Sequence, residues 1–338
     1  MTDILFPSEW HQQSAIQLTF PHAGTDWNYM LEEVEECFCN IANTIIKYEK
    51  LLIVAPNIEH VKKTLQAKGI ALTNIRFFSC PTNDTWARDH GGITVLKNGK
   101  PVVLDFKFNG WGLKFAANFD NLITSNLYKA GYFSAVYENK LNFVLEGGSL
   151  ESDGKGTLLT TSECLLSPNR NGEWNKEEIE EYLKKQLGLK RILWLNHGFL
   201  EGDDTDSHID TLARFCSEDT IAYVKCEDKN DIHFQALQEM ENELKTFTTL
   251  NGKPYRLLAL PMADAIYDNN ERLPATYANF LVINNAVLYP TYNQPGNDKK
   301  AGEVLKIAFP GRDIIGIDCT ALIKQHGSLH CVTMQYYP

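Results

Sequence analysis

The sequence predicts an α/β fold, and three observations carry that reading. Short β-rich runs alternate with amphipathic helical stretches along the whole chain. No Pro/Ser/Gly-rich linker or charge block divides it, which points to a single domain over residues 1–338. Strand, hairpin and helix recur at intervals of ~60–70 residues, a spacing compatible with about five similar units around an axis and a funnel at their centre. Periodicity alone fits an ordinary layered α/β fold equally well.

In chain order, strands are expected at 15–20, 51–55, 75–80, 93–96, 102–106, 157–161, 191–195, 221–225, 280–283, 287–289 and 314–317. Asn98-Gly99 carries the signal of a two-residue hairpin turn between the fourth and fifth, and Asn284-Asn285 suggests a second. Helical periodicity is clearest over 27–48, where Met30, Leu31, Val34, Phe38, Ile41, Ala42, Ile45 and Ile46 fall near i, i+3, i+4 spacing behind an expected Asp26 cap. Comparable helices are expected at 176–187, 232–247 and 298–308.

Composition narrows the function classes. A net charge of −11 argues against nucleic-acid or anionic-membrane partners, which are held by surplus positive charge. With 43% apolar and 22% charged residues, the chain can bury a real core. Glu9, His11, Gln12 and Gln13 interrupt the N-terminal apolar run, so no signal peptide is read there. No stretch reaches the roughly 20 apolar residues that cross a bilayer. The eight cysteines show no CxxC pair, which suits buried thiols in the cytoplasm.

Four segments hold polar residues that folding alone gives little to do: TNDTWARDHGG (82–92), EGGSLESD (146–153), GDDTDSHIDTLARF (202–215) and the terminal HGSLHCVTMQ. If the third is extended, Asp204, Asp206, His208 and Asp210 share one face and Ile209, Thr211, Ala213 and Phe215 the other. An Asp-rich turn is the blander reading of 203–206. His208 and Asp210 lead into an apolar run, where an unpaired carboxylate beside a histidine costs stability. Cys331 stands where a loop meets a short strand; a lone cysteine is commonly a small buried hydrophobe, whereas one joined by a histidine and a carboxylate has the makings of a nucleophile.

Together, WARD, EGGSLESDG, GDDTDSHIDTLARF, YANFLVINNAVLYPTYN and GSLHCVTMQ, with PSEW at 7–10 and FPH at 20–22, resemble the agmatine deiminase branch of the guanidine-modifying enzyme superfamily essentially end to end. The resemblance implies a fivefold pseudosymmetric α/β-propeller (pentein) of ββαβ-type units around a central funnel. It matches Cys331 to the nucleophile, His208 to the general acid/base, Asp89 and Asp210 to the carboxylates that grip the guanidinium, and Glu146 to a supporting carboxylate. Trp86, Asp204 and Trp111 go with substrate binding. The departure is HGSLH before Cys331, where many relatives carry a run of glycines, and it bears on the width of the channel.

The chemistry of these residue types agrees. A guanidinium presents five N–H donors in a planar fork, so two convergent carboxylates are its natural receptor, and a thiolate is a suitable nucleophile for its carbon. The implied reaction converts agmatine to N-carbamoylputrescine and ammonia, a step of putrescine biosynthesis, with no cofactor or metal. Carboxylates beside Cys331 should keep the empty site's thiol protonated until a cation arrives. An arginine site would want a cation for the substrate carboxylate; only Arg88 and Arg214 lie in the motifs, each beside a carboxylate that can pair it, and the 203–206 acids suit a dication instead. The alternatives are an arginine or peptidylarginine deiminase on the same scaffold, a metal-dependent hydrolase using the 203–210 Asp/His run, and a non-catalytic binding relative. The expected partner is a small cationic guanidine, with room for a homo-oligomer.

Overall fold

The computed structural model describes residues 3–338. Among these lie five sheets of three or four strands and a two-stranded ribbon, Tyr267–Asp268 with Glu271–Arg272. One pattern recurs in all five sheets. A central strand pairs antiparallel on one side and, across a helix, parallel on the other.

Ile93–Lys97 is antiparallel to Lys100–Lys107, which pairs parallel with Val136–Val144 after the helix Asp120–Lys129. Glu151–Ser152, Thr157–Thr161 and Arg191–Leu195 repeat this with the helix Lys176–Leu187. Ala213–Ser217, Thr220–Lys225 and Arg256–Pro261 do so with Phe234–Thr246. Leu281–Ile283, Ala286–Thr291 and Asp313–Asp318 do so with Pro295–Ala308. In the remaining sheet the two ends of the chain meet: Thr333–Tyr336 is antiparallel to Ala15–Thr19, which pairs parallel with Lys50–Ala55 across the helix Leu31–Ile45. Lys50–Ala55 then adds Ile75–Ser79 in parallel across Ile58–Ala67.

Turn chemistry explains the pattern, because antiparallel neighbours can be joined by two residues while parallel ones need a crossover. Asn98 and Gly99 take φ of 50° and 73°, the positive values a type I′ hairpin requires, and Asn285 takes 64° in the second predicted turn. The helix Lys176–Leu187 has the predicted bounds. Asn175 and Glu178 form a capping box before it, and Gly188 ends it at φ 68°.

Other bounds differ. Where a helix from Trp27 to Tyr48 is expected, Asp26–Met30 is a 3-10 turn and the α-helix runs only from Leu31 to Ile45. Asp26 is not the cap: Thr25 holds that position, without a side-chain hydrogen bond. The Trp27 indole donates to Asp84 and Thr85, so the first turn answers to a neighbouring loop rather than to the helix behind it. The fourth predicted helix starts earlier, at Pro295, whose fixed φ suits a first turn. Val34, Phe38, Ile41, Ala42 and Ile45 of Leu31–Ile45 are fully buried in one core with Ile16, Leu18 and Phe20. Each of these side chains except Ala42 contributes about 1.5–3 kcal/mol on burial.

Candidate active site

The segment just before the first hairpin strand does the same job in every unit. Asp89 precedes Ile93–Lys97, Glu146 precedes Glu151–Ser152, and His208 and Asp210 precede Ala213–Ser217. Asn279 precedes Leu281–Ile283 and Cys331 precedes Thr333–Tyr336. Residues spread over more than 240 positions thereby become buried neighbours.

Gly148 marks where three of them meet. A Cβ there would lie 2.5 Å from His208 Nδ1, 2.8 Å from Asp89 Oδ1 and 3.2 Å from Asp210 Oδ2, so only glycine lets its backbone approach this closely. Its amide donates to Asp89 Oδ1 at 3.0 Å, and the Trp111 indole donates to Asp89 Oδ2 at 3.0 Å. Trp111 itself sits at φ 54°, within a left-handed run from Gly110 to Leu113. Such a conformation costs a bulky residue on the order of 1 kcal/mol, and here it aims the indole at Asp89.

His208 stands between two carboxylates. Nδ1 is 3.6 Å from Asp89 and Nε2 is 3.6 Å from Glu146, ion-pair distances beyond hydrogen-bond range. Arg170 Nε bonds both Glu146 oxygens, at 3.1 and 2.8 Å. One Asp210 oxygen takes a 2.7 Å bond from His330 Nδ1, while Oδ1 is buried with no hydrogen-bond partner. The Cys331 thiol donates to Asn279 Oδ1 at 3.4 Å, and Asn279 also accepts from the His330 amide at 2.8 Å and donates to the Asp210 carbonyl at 3.3 Å.

Burial raises the Asp89 carboxyl to about 6, with Asp210 and Glu146 adding to the rise and His208 opposing it. Burial pushes the Cys331 thiol well above its ordinary range, reinforced by Asp210 and Asp89. The empty site therefore holds a thiol rather than a thiolate. For His208, burial works downward, but Asp89, Cys164 and Glu146 outweigh it and hold the ring well above its usual value. Burial alone would raise Asp210, yet His330, His208 and Arg214 bring it below the ordinary carboxylate range.

Cys331 and Asp89 open onto a cavity of about 150 Å³, also lined by Trp86, Trp111, Phe115, Thr205, Gln325 and Gly327. Its mouth carries Asp26, Asp204 and His326, Asp84 lies deeper and accepts from the Trp27 and Trp86 indoles, and no Lys or Arg lines the cavity among the described residues. His326, in the stretch that departs from the glycine run, takes φ 65°, a backbone conformation that glycine adopts freely, and bonds the Gly202 carbonyl at 2.6 Å. A wider groove of about 720 Å³ lies between 225–231 and 259–265, and its lining holds no histidine.

The structure corrects the reading of 203–210 as an extended strand. Asp206 and Ser207 take φ of 62° and 60°, and Ile209–Thr211 is a 3-10 turn, so the alternation of faces does not apply. Of the acids there, only Asp204 lines the cavity. Asp203 accepts from the Thr205 hydroxyl and the Ser207 amide, closing the turn, and Asp206 pairs with Arg170 and Lys114. Of the two motif arginines, Arg214 does pair with carboxylates, but Arg88 does not: its Nε reaches the His330 carbonyl at 3.4 Å. Four contributors escape the sequence reading: Arg170, Cys164, Asn279 and His330. Arg170 had no local signal at all, whereas Asn279 and His330 lay inside quoted motifs.

Glu146, Cys164 and His208 each offer a metal-ligand atom, all within 4.8 Å of one another. Arg170 already places a fixed cation on both Glu146 oxygens, so this donor set serves an internal ion pair better than a metal. The 203–210 run does not gather into a donor set.

A buried thiol and a carboxylate at a small cavity, with a histidine and two further carboxylates packed behind Gly148, define a class of protein with a compact acidic site. The chain belongs to the Porphyromonas-type peptidyl-arginine deiminase family, whose model matches residues 5–337. It is similar to a Porphyromonas gingivalis structure named "Putative Arginine Deiminase", with 54% identity, 98% of each chain covered and a TM-score of 0.94. It is also similar to the C. jejuni agmatine deiminase with substrate bound, at 42% identity, 100% of this chain and 97% of that one, and a TM-score of 0.93. A Legionella pneumophila (strain Paris) protein named "Putative agmatine deiminase" is 35% identical, with 97% of this chain and 94% of that protein covered.

Proposed function

We propose that this chain is an agmatine deiminase, hydrolysing agmatine to N-carbamoylputrescine and ammonia through a covalent amidino-cysteine intermediate. The observation that carries this reading is the cavity itself: a thiol and Asp89 at its inner end, acids at its mouth, and no lysine or arginine in its lining. A dication with a guanidinium at one end and an amine at the other matches both ends. Arginine's carboxylate would meet Asp204 with no lysine or arginine in the lining to receive it. The small volume favours a free amine over a peptide.

In this reading the five repeated sheets are the units of a fivefold propeller, and residues 1–338 form one catalytic domain closed by the pairing of the chain's two ends. Asp89 and Asp210 receive the guanidinium, and the unpartnered Asp210 Oδ1 is an acceptor still waiting for a donor. The arriving cation offsets the acids that hold Cys331 protonated; the thiol gives up its proton to solvent, and the thiolate adds to the guanidinium carbon. His208, held cationic, gives its proton to the departing nitrogen, and ammonia leaves the amidino-thioether. The neutral imidazole then takes a proton from water, which attacks the same carbon; the C–S bond breaks and the ureido product leaves. Trp86, Trp111 and Asp204 line the path of the alkyl-amine tail.

No helix among the described residues is long and apolar enough to cross a membrane, and the eight cysteines are free, which suits a reducing cytoplasm. Ammonia release from agmatine, arginine and a peptidyl-arginine substrate tests the assignment. Agmatine should show the highest kcat/KM, and Cys331→Ala should remove its turnover while the protein stays folded. A preference for either arginine substrate, or unchanged turnover in Cys331→Ala, would refute it.

A further inference from the structure

We propose that Glu9, which lies outside the cavity, is a positioning residue: through His330 it sets the charge and orientation of Asp210, and so the preference of the site for a cationic guanidinium. The inference rests on the functional reading above.

Three buried side chains form a line. Glu9 Oε2 is 2.8 Å from His330 Nε2, and His330 Nδ1 is 2.7 Å from Asp210 Oδ2. Glu9 is held ionised: burial alone would raise its carboxyl, but His330 and Arg214 outweigh it and bring it far below the usual range. Asp210 is likewise held ionised. The ring bridges the two carboxylates, and Arg214 Nη2 also lies 3.1 Å from its Nε2, so the three side chains are held as one unit. Arg214 adds a second route, donating to Glu9 Oε2 at 2.7 Å and bonding Glu151 through Nε. The Glu9 Oε1 oxygen accepts from the Val282 amide at 2.6 Å, which fixes the far end of the line to the sheet beside Asn279.

The connected groups are the carboxyl groups of Glu9, Glu151 and Asp210, the Arg214 guanidinium and the His330 ring. Glu9, held ionised, supplies one negative charge to this buried set. A guanidinium on the free oxygen of Asp210 is attracted by that charge, whereas a neutral urea is not. Removing the charge of Glu9 makes the network one unit more positive before substrate arrives. The guanidinium then loses its electrostatic advantage over the ureido product, although neither touches Glu9.

The test compares agmatine with N-carbamoylputrescine, which carries the same amine tail but a neutral head. In a Cys331→Ala background, where neither turns over, both dissociation constants are measured with Glu9 native, as Glu9→Gln and as Glu9→Asp. Glu9→Gln keeps the shape and an acceptor for His330. At an effective protein dielectric of about 20, loss of one buried charge at this remove should weaken agmatine by about tenfold and the product by much less. Glu9→Asp, which keeps the charge, should restore most of the preference. Equal weakening of both ligands, or none, would overturn the proposal and leave Glu9 a merely structural residue. Should Glu9→Gln not fold, Glu151→Gln removes a charge from the same network and is read by the same ratio. If the protein with native Glu9 does not bind agmatine at all, the functional reading fails first and this inference falls with it.

Discussion

Two of the buried arginines, Arg214 and Arg170, pair with carboxylates near the cavity, and they are braced in opposite ways. Arg214 is sealed: it meets Glu9, Glu151 and the carbonyls of Ala278 and Phe280, and lies 4.7 Å over the Phe280 ring. Arg170 faces inward to Glu146 but outward to Asp206, whose side chain is 26% exposed and shared with Lys114. A sealed network must balance its charges among its own members, whereas a vented one can draw on water. The two carboxylates proposed to receive the guanidinium show the difference. Asp210, tied to the sealed side, stays ionised; Asp89, without an arginine of its own, is pushed up to about 6.

The largest effect should come from breaking the sealed side. Arg214→Met leaves Glu9 and Glu151 buried without their cation and should cost about 3–5 kcal/mol in urea unfolding. Arg170→Met should cost less, about 2–3 kcal/mol, because Asp206 keeps Lys114 and water while Glu146 keeps His208. Equal costs would dissolve the distinction between the two networks. Arg170→Met should also lower kcat more than it raises KM, since Glu146 is the brace of His208.

Next comes the pH dependence. The folded-state value of Asp89 is raised, so its proton stabilises the empty protein fully below the unfolded value near 4, a contribution lost as pH rises through about 6. Agmatine needs the ionised form. Its affinity should therefore fall about tenfold per pH unit below 6, with one proton released on binding. Calorimetry on Cys331→Ala, which neither turns agmatine over nor releases a thiol proton, in buffers of different ionisation enthalpy counts that proton; release of two would mean that a second group titrates with Asp89. The smallest effect is at the vented edge. Lys114, 37% exposed, pairs with Asp206 where salt screens it, so Lys114→Ala should shift stability by less than about 0.5 kcal/mol and less still at high salt.

Local chemistry made much of this protein legible. The Asn98-Gly99 hairpin and the helix from Lys176 to Leu187 followed from residues within a few positions of each bound. The carboxylates, histidine and thiol named from motifs do lie together: Asp89, His208 and Asp210 meet at Gly148, Glu146 is 3.6 Å from His208, and Cys331 shares a cavity with Asp89. The 203–210 alternation misled because period two describes a strand, and two left-handed residues break it. Arg170 was invisible because its partners lie 24 and 36 residues away, and an arginine in a short Pro-led turn looks like any surface residue.

By itself, the sequence determined the residue types that chemistry requires and the local turns that deliver them, because caps, hairpins and motif spacing act over a few bonds. Tertiary structure decided which charges are paired and which face the cavity. Pairing depends on burial and on distances between loops of different sheets, and these set the pKa of Asp89, Asp210, His208 and Cys331. The acid cluster of 203–206 shows the division most plainly: its composition suggested three groups for a cation, and the fold leaves one, Asp204, at the cavity because the turn and Arg170 claim the other two.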